Sequence, residues 1–309
     1  MKQKTITLKV SDQTKEQMLE FFQDLKREKT PPYAVFQAKD GDTVVTLYES
    51  GKCVFQGQDA DLSSDFWIET EKINSGKALT TDSRDKKEKV KEKKIPLRIS
   101  TIGSDEVGTG DYFGPIVVTA TYVDIKNIDY LLDLKVKDSK KMTDKQILEV
   151  VPKIIKKIPY HTFILRNNDY NKYYNEDFNM NKVKAILHNK VLFELKSHGY
   201  PYDNIVVDQF EVPKSYYNHI KEATSKVNDI TFLTKAEDQC LSVACASLIS
   251  RYIFINEMDK LSEKLGIDLP KGANPTVDET GKKIVQIYGK DKLKDIAKLN
   301  FKNTQKILN

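Results

Sequence analysis

The chain has 309 residues, 39% of them hydrophobic, which is more than one small core needs and fits two domains. Its charged residues, 31% of the total, sum to only +5, so the balance is compatible with a polyanionic partner without demanding one. Cys53, Cys240 and Cys245 have no pairing or ligand spacing, and His161, His188, His198 and His219 are scattered, so zinc and disulfides are not expected. There is no apolar leader after Met1-Lys2-Gln3-Lys4 and no run near the roughly 20 apolar residues that span a bilayer, which makes a reducing cytoplasm the expected setting, with no membrane partner.

In chain order, Thr5 to Val10 reads as a strand, and Gln13 to Lys29 as a helix with Met18, Phe21, Phe22 and Leu25 at helical spacing, stopped by Pro31-Pro32. Tyr33 to Lys39, Thr43 to Tyr48 and Cys53 to Gln56 read as strands joined at Asp40-Gly41-Asp42 and Ser50-Gly51-Lys52, and a helix is expected from Ala60 to Ile73. Residues 1–82 therefore form a small α+β domain. If Ile6, Leu8 and Val10 face the helix, Thr5, Thr7 and Lys9 face outward, and later strands add Lys39, Lys52 and one of Tyr33 or Tyr48. Such an open face suits nucleic acid. Residues 1–82 carry 11 Lys/Arg against 14 Asp/Glu, a net of −3, so binding would have to use an uneven charge distribution. A purely supporting role in folding stays open.

From Ser83 to Lys94, seven basic residues mix with three acids and a single apolar side chain, Val90, a composition that cannot build a core. This reads as a solvated linker, with a grip on phosphates as an added role. A second domain, 95–309, follows. In the run Ile102-Gly103-Ser104-Asp105-Glu106-Val107-Gly108-Thr109-Gly110, adjacent acids lead into a glycine-rich bend; Ile99, Thr101, Gly103 and Asp105 alternate with Ser100, Ile102 and Ser104, and Pro115 to Ala120 follows as an apolar segment. Adjacent acids commonly mark a solvated loop, but these flanks place Asp105 and Glu106 in or beside a β-hairpin. Thr143-Asp144-Lys145-Gln146 resembles a capping box opening a helix toward Ile158, and Met180 to His198 forms another that Gly199 can end. Thr162 to Leu165, Ile205 to Val207 and Ile230 to Leu233 are short apolar strands, so the class is α/β with a mixed sheet.

Ile205-Val206-Val207 delivers Asp208 to a sheet edge, beside Asp105 if the two strands neighbour. After the last strand, Glu237 shares a helical stripe with Leu241, Ala244 and Leu248, whereas Asp238 points about 100° away, so Glu237 is the acid expected to face the sheet. Converging carboxylates repel unless cations separate them. Oxygen-only ligation suits Mg²⁺ or Mn²⁺, and two such ions can stabilise both the attacking and the leaving oxygens of a phosphodiester. That chemistry is a nuclease's.

Gly103 through Pro115 resembles the opening signature of the type 2 ribonucleases H, Lys137-Asp138-Ser139-Lys140-Lys141-Met142 its Asp-Ser-Lys-Lys element, Val207-Asp208 its third acid, and Glu237 through Arg251 its helix with an Ala/Cys-Ala-Ser core. Gly108-Thr109-Gly110 in place of Gly-Arg-Gly, glutamate in place of the fourth aspartate, and an N-terminal domain are similar to the ribonuclease HIII branch. The resemblance covers essentially the whole chain. It implies a ribonuclease H fold preceded by a TATA-box-binding-protein-like domain, and endonucleolytic cleavage of RNA in RNA–DNA hybrids leaving 5′-phosphate and 3′-hydroxyl. Asp105, Glu106, Asp208 and Glu237 would then be the catalytic, metal-binding set. Gly108, Thr109 and Gly110 would bring backbone against the ribose 2′-hydroxyl, the group that separates RNA from DNA. Lys140 and Lys141 would contact phosphate or cap a solvated helix start, and Lys9, Lys39 and Lys52 would bind substrate from the first domain. A monomer is expected. Incision at single ribonucleotides in duplex DNA, as by ribonuclease HII, and non-catalytic hybrid binding are the alternatives.

Overall fold

The structure is a computed structural model that describes residues 4–41, 43–57, 60–75, 96–136, 141–175 and 178–309; the expected linker over 83–94 and Lys140 lie outside them. The chain divides into two compact units, one of Met1–Glu92 with Phe210–Ser215 and one of Lys93–Gln209 with Tyr216–Asn309.

In the first unit, β1 (Lys4–Lys9), α1 (Asp12–Phe21), β2 (Ala34–Asp40), β3 (Thr43–Tyr48), β4 (Lys52–Gly57) and α2 (Ala60–Ser75) build a four-stranded antiparallel sheet in the order β1-β4-β3-β2. Ser11 caps α1 by accepting from the Thr14 N–H. The helix expected to reach Lys29 stops at Phe21, because the Phe22 ring packs against Phe36 and Trp67 at 5.3 and 5.7 Å and Lys26 already bridges to Ala38 on β2. Tertiary packing overrides a helical pattern that continues in the sequence. Leu8, Phe36, Val45, Leu47, Phe55 and Met18 fill the space between sheet and helices.

Strand alternation sorts the other face. Lys9 pairs directly with Lys52, Gln56 of the same strand pairs with Val44, and Val44 pairs with Lys39, so the three lysines share the sheet face opposite the core. Thr5, Thr7, Lys9, Lys39 and Lys52 are exposed, as the alternation predicts. Tyr48 alternates with buried Leu47 and lies on this face, while Tyr33, 82% exposed with φ 63°, precedes β2.

The second unit contains β5 (Thr101–Val107), β6 (Ile116–Val123), α3 (Ile128–Asp133), α4 (Asp144–Ile155), β7 (Tyr160–Leu165), α5 (Asn167–Tyr173), α6 (Met180–Ser197), β8 (Asn204–Asp208), α7 (Pro213–His219, of which Pro213 to Ser215 count with the first unit), β9 (Ile230–Leu233), α8 (Ala236–Gln239), α9 (Leu241–Leu265), α10 (Pro275–Tyr288), α11 (Leu293–Ile296) and α12 (Lys302–Leu308). Its sheet runs β7-β6-β5-β8-β9, with β5, β8 and β9 parallel and β6 antiparallel to both its neighbours. This is the mixed sheet read from the sequence. Thr143 and Gln146 form the expected capping box of α4, and Gly199, at φ 74°, follows α6.

Side chains of β5 alternate between two helices. Thr101 and Gly103 face α9, where a Cβ on Gly103 would stand 2.5 Å from Ser242 Oγ and 2.6 Å from Val243 N, so only glycine permits this approach of helix to strand. Ser104 and Glu106 face α6 on the opposite side. α4 packs on α9 through Ile147, Val151 and Ile154. The α10 to α12 segment, for which the sequence reading made no assignment, encloses Tyr112 and Phe113 with Val277, Ile284 and Ile307.

Candidate active site

Adjacent residues on a strand point to opposite faces, and this rule shapes the site. Asp105 turns toward α9, where the Ser247 hydroxyl donates to its carboxylate, the Glu106 N–H donates to Oδ1 at 2.8 Å, and Ser250 Oγ donates to the Asp105 carbonyl at 3.2 Å. Burial pushes the Asp105 carboxyl well above its ordinary range, and the charges of Glu106 and Asp208 push in the same direction.

Glu106 turns toward α6, where its Oε1 lies 2.5 Å from Lys184 Nζ and its Oε2 accepts from His188 Nε2 at 2.9 Å. The His188 ring is wholly buried, and its Nδ1 lies 2.7 Å from Ser104 Oγ. Burial by itself would raise the Glu106 carboxyl, but the Lys184 charge and the His188 hydrogen bond outweigh it and hold the group below the usual range. Glu106 is therefore kept ionised beside two acids, Asp105 and Asp208, whose carboxyls are pushed the opposite way.

Asp208 ends β8, whose register sets Val207 opposite Ser104 and so brings Asp208 level with Asp105. Its Oδ1 accepts from the Ala236 N–H at 2.7 Å. Burial pushes its carboxyl up to about 6, the Ala236 hydrogen bond opposes this, and the charges of Glu237 and Glu106 add to it. Glu237 is buried and Asp238 exposed, as the sequence reading expects, but the reason differs. Glu237 is not on one helix with Leu241, Ala244 and Leu248: α8 ends at Cys240, which is extended at φ −133° and ψ 118°, and α9 starts afresh at Leu241. The Cys240 thiol at this break lies 3.1 Å from Ser242 Oγ.

The four predicted acids thus share one electrostatic neighbourhood at the ends of β5, β8 and β9. Among the described residues no three acidic, histidine or cysteine side chains stand close enough to grasp one ion in this arrangement, with Glu106 engaged by α6 and Asp105 by α9. The donor set still fits a divalent cation. Every donor is a carboxylate oxygen, and the burial that raises Asp105 and Asp208, with the neighbouring carboxylate charges that add to it, is a cost a bound cation would offset.

After Glu106 the chain bends through Gly108, at φ 96°, where a Cβ would collide with the Pro115 carbonyl oxygen. Gly110 is different. It is exposed, a Cβ there would meet nothing within 4 Å, and Thr109 beside it is half-buried. Lys141 is exposed, preceding α4. Lys184, His188, Ser104 and Ser247 were missed by the sequence reading. A usable signal existed for the first two, since a lysine and a histidine four residues apart lie on one face of the predicted helix from Met180.

A family model described as Ribonuclease HII matches residues 102–304, and one described as a domain of unknown function (DUF3378) matches residues 5–79. Ribonuclease HIII of Bacillus licheniformis is 42% identical over 284 residues, 88% of each chain, and that of Bacillus subtilis (strain 168) is 40% identical over 97% of this chain and 95% of its own. A crystal structure of Bst-RNase HIII in complex with Mn²⁺ superposes with a TM-score of 0.69 at 35% identity, covering 99% of this chain and 98% of that one. Ribonuclease H2 from Pyrococcus horikoshii OT3 covers 68% of this chain at 26% identity and a TM-score of 0.58. With its acids on β5 and β8 of a ribonuclease H fold and its relatives matching across both units, the chain belongs to the type 2 ribonuclease H family, on the ribonuclease HIII branch.

Proposed function

We propose that the protein is a metal-dependent endonuclease that hydrolyses the RNA strand of RNA–DNA hybrids, leaving 5′-phosphate and 3′-hydroxyl ends. The observation that supports this reading is the electrostatic neighbourhood shared by Asp105, Glu106, Asp208 and Glu237, in which Asp105 feels the charges of Glu106 and Asp208, and Asp208 those of Glu237 and Glu106. Asp105, Glu106, Asp208 and Glu237 are the residues that would hold Mg²⁺ or Mn²⁺. Two such ions would supply Lewis acidity at the scissile phosphate, lowering the pKa of the attacking water and stabilising the departing 3′-oxygen.

The chain's own groups do the remaining work. His188 and Lys184 aim an ionised Glu106, and the Ala236 N–H aims Asp208. Gly108, Thr109 and Gly110 present backbone to the ribose, and the 2′-hydroxyl it carries selects RNA. Lys140 and Lys141 are the basic residues that would contact the phosphates. The lysines Lys9, Lys39 and Lys52 meet the hybrid from the first unit: Lys9 and Lys52 stand directly opposite one another, an arrangement that is unfavourable until an anion lies across it.

The test is cleavage, with Mg²⁺ or Mn²⁺, of a hybrid set beside a DNA duplex carrying one ribonucleotide. Hybrid cutting supports the reading; incision at the single ribonucleotide alone would favour the ribonuclease HII type of activity. Asp105→Asn and Asp208→Asn should abolish turnover while hybrid binding persists, and near-normal turnover in either would refute the assignment. In chelator either variant should melt no lower than the parent, since a neutral amide removes repulsion.

A further inference from the structure

Lys298 belongs to none of the motifs read from the sequence, yet it is wholly buried. Its ammonium points at main chain: Nζ donates to the carbonyls of Asp111 and Gly114, each at 2.7 Å, and its own N–H donates to the Tyr112 carbonyl at 2.9 Å. Asn167 Nδ2 donates to the same Gly114 carbonyl at 2.9 Å. The surrounding C-terminal chain adds further ties. Gly114 N–H donates to the Ile296 carbonyl at 2.9 Å, and the Gly272 N–H donates to Asp111 Oδ1 at 2.6 Å.

A buried ammonium is expensive, and so is a buried carbonyl without a donor. One lysine meets two inward-turned carbonyls at once, which no apolar side chain of similar length can do. Burial pushes the Lys298 amine down to about 7, and a neutral amine still carries two hydrogens, so both bonds survive loss of the proton. The tie is one of shape more than of charge. What it holds is the turn from Asp111 to Gly114, whose first N–H closes on the Gly108 carbonyl at 3.4 Å and whose other end runs into Pro115, the residue packed under Gly108.

We propose that Lys298 is a positioning residue for ribonucleotide recognition: by gripping the Asp111 and Gly114 carbonyls it sets where the Gly108-Thr109-Gly110 backbone meets the ribose of the RNA strand. This rests on the hybrid-cleaving function proposed above. It separates recognition of the 2′-hydroxyl from binding of the duplex as a polyanion.

The experiment compares the full-length, Mn²⁺-loaded protein with Lys298→Met, reading KM for an RNA–DNA hybrid and Ki for an all-DNA duplex of the same sequence used as competitor. DNA has no 2′-hydroxyl, so its Ki should stay put while KM for the hybrid rises about tenfold. Ile284→Ala, a cavity in the same C-terminal core, is the stability control and should leave the ratio of KM to Ki unchanged. Calorimetric Mn²⁺ binding should match the parent in both. Should Lys298→Met fail to fold, Asn167→Ala decides the matter: it removes one of two donors to the Gly114 carbonyl and should raise KM about threefold with Ki constant. An unchanged ratio in folded Lys298→Met, or in Asn167→Ala if that is the variant that folds, overturns the proposal. A parent enzyme that leaves the hybrid uncut overturns the functional reading itself, and the proposal with it.

Discussion

Gly108 and Gly110 stand two residues apart in one bend, and they are glycine for opposite reasons. At Gly108 a side chain must adopt φ near 96° and drive its Cβ into the Pro115 carbonyl oxygen, and the same Cβ would stand 3.1 Å from the Phe254 ring. A left-handed backbone costs an L-residue roughly 1–2 kcal/mol and overpacking roughly 1–3 kcal/mol more, so Gly108→Ala should destabilise the fold by about 2–5 kcal/mol. For a domain of this size that lowers Tm by something on the order of 10 °C. At Gly110 the backbone is outside the left-handed region and a Cβ meets nothing within 4 Å, so Gly110→Ala should be neutral or stabilising by about 0.4–1 kcal/mol through the unfolded chain. Yet if this backbone touches the ribose, the added methyl stands in the substrate's place. Gly110→Ala should therefore melt normally and lose about tenfold or more in kcat/KM on a hybrid, a barrier increase of about 1.4 kcal/mol. The assays are a thermal melt and steady-state cleavage of one fluorescent hybrid. Normal melting together with normal kcat/KM in Gly110→Ala would remove Gly110 from the substrate contact, and an undiminished Tm in Gly108→Ala would show that the bend is wrongly described.

Glu237→Gln should reduce kcat by on the order of a hundredfold, because a buried carboxylate beside Asp208 loses its charge, whereas exposed Asp238→Asn should stay within about twofold. Steady-state rates at saturating Mn²⁺ check this, and the reverse ranking would mean that α8 presents the other acid. Replacing Lys9, Lys39 and Lys52 together by alanine should weaken hybrid binding and flatten log affinity against log salt by close to 0.9 for every phosphate that is no longer neutralised. Fluorescence anisotropy over a salt series measures the slope; a slope equal to the parent's would show that the open face of the first sheet does not meet the hybrid.

Much of this protein was legible in local patterns. The two-residue alternation from Ile99 to Asp105 put Asp105 and Glu106 in or beside a β-hairpin, the Thr143 and Gln146 pair announced α4, and the apolar run into Asp208 set that acid at a strand end. These signals are readable because they arise between residues at most four apart, where strand and helix geometry act directly on the sequence. Tertiary structure decided the rest. Phe22 leaves its helix for Phe36 and Trp67, and Cys240, beside Ser242, separates α8 from α9 where a single helical stripe was read. Lys184 and His188 reach Glu106 from about 80 positions away, and Lys298 reaches Asp111 from 187. No periodicity records such pairings. Each depends on which buried carboxylate or carbonyl lacks a partner once the sheet and helices have packed, and that is settled only when the whole unit is folded.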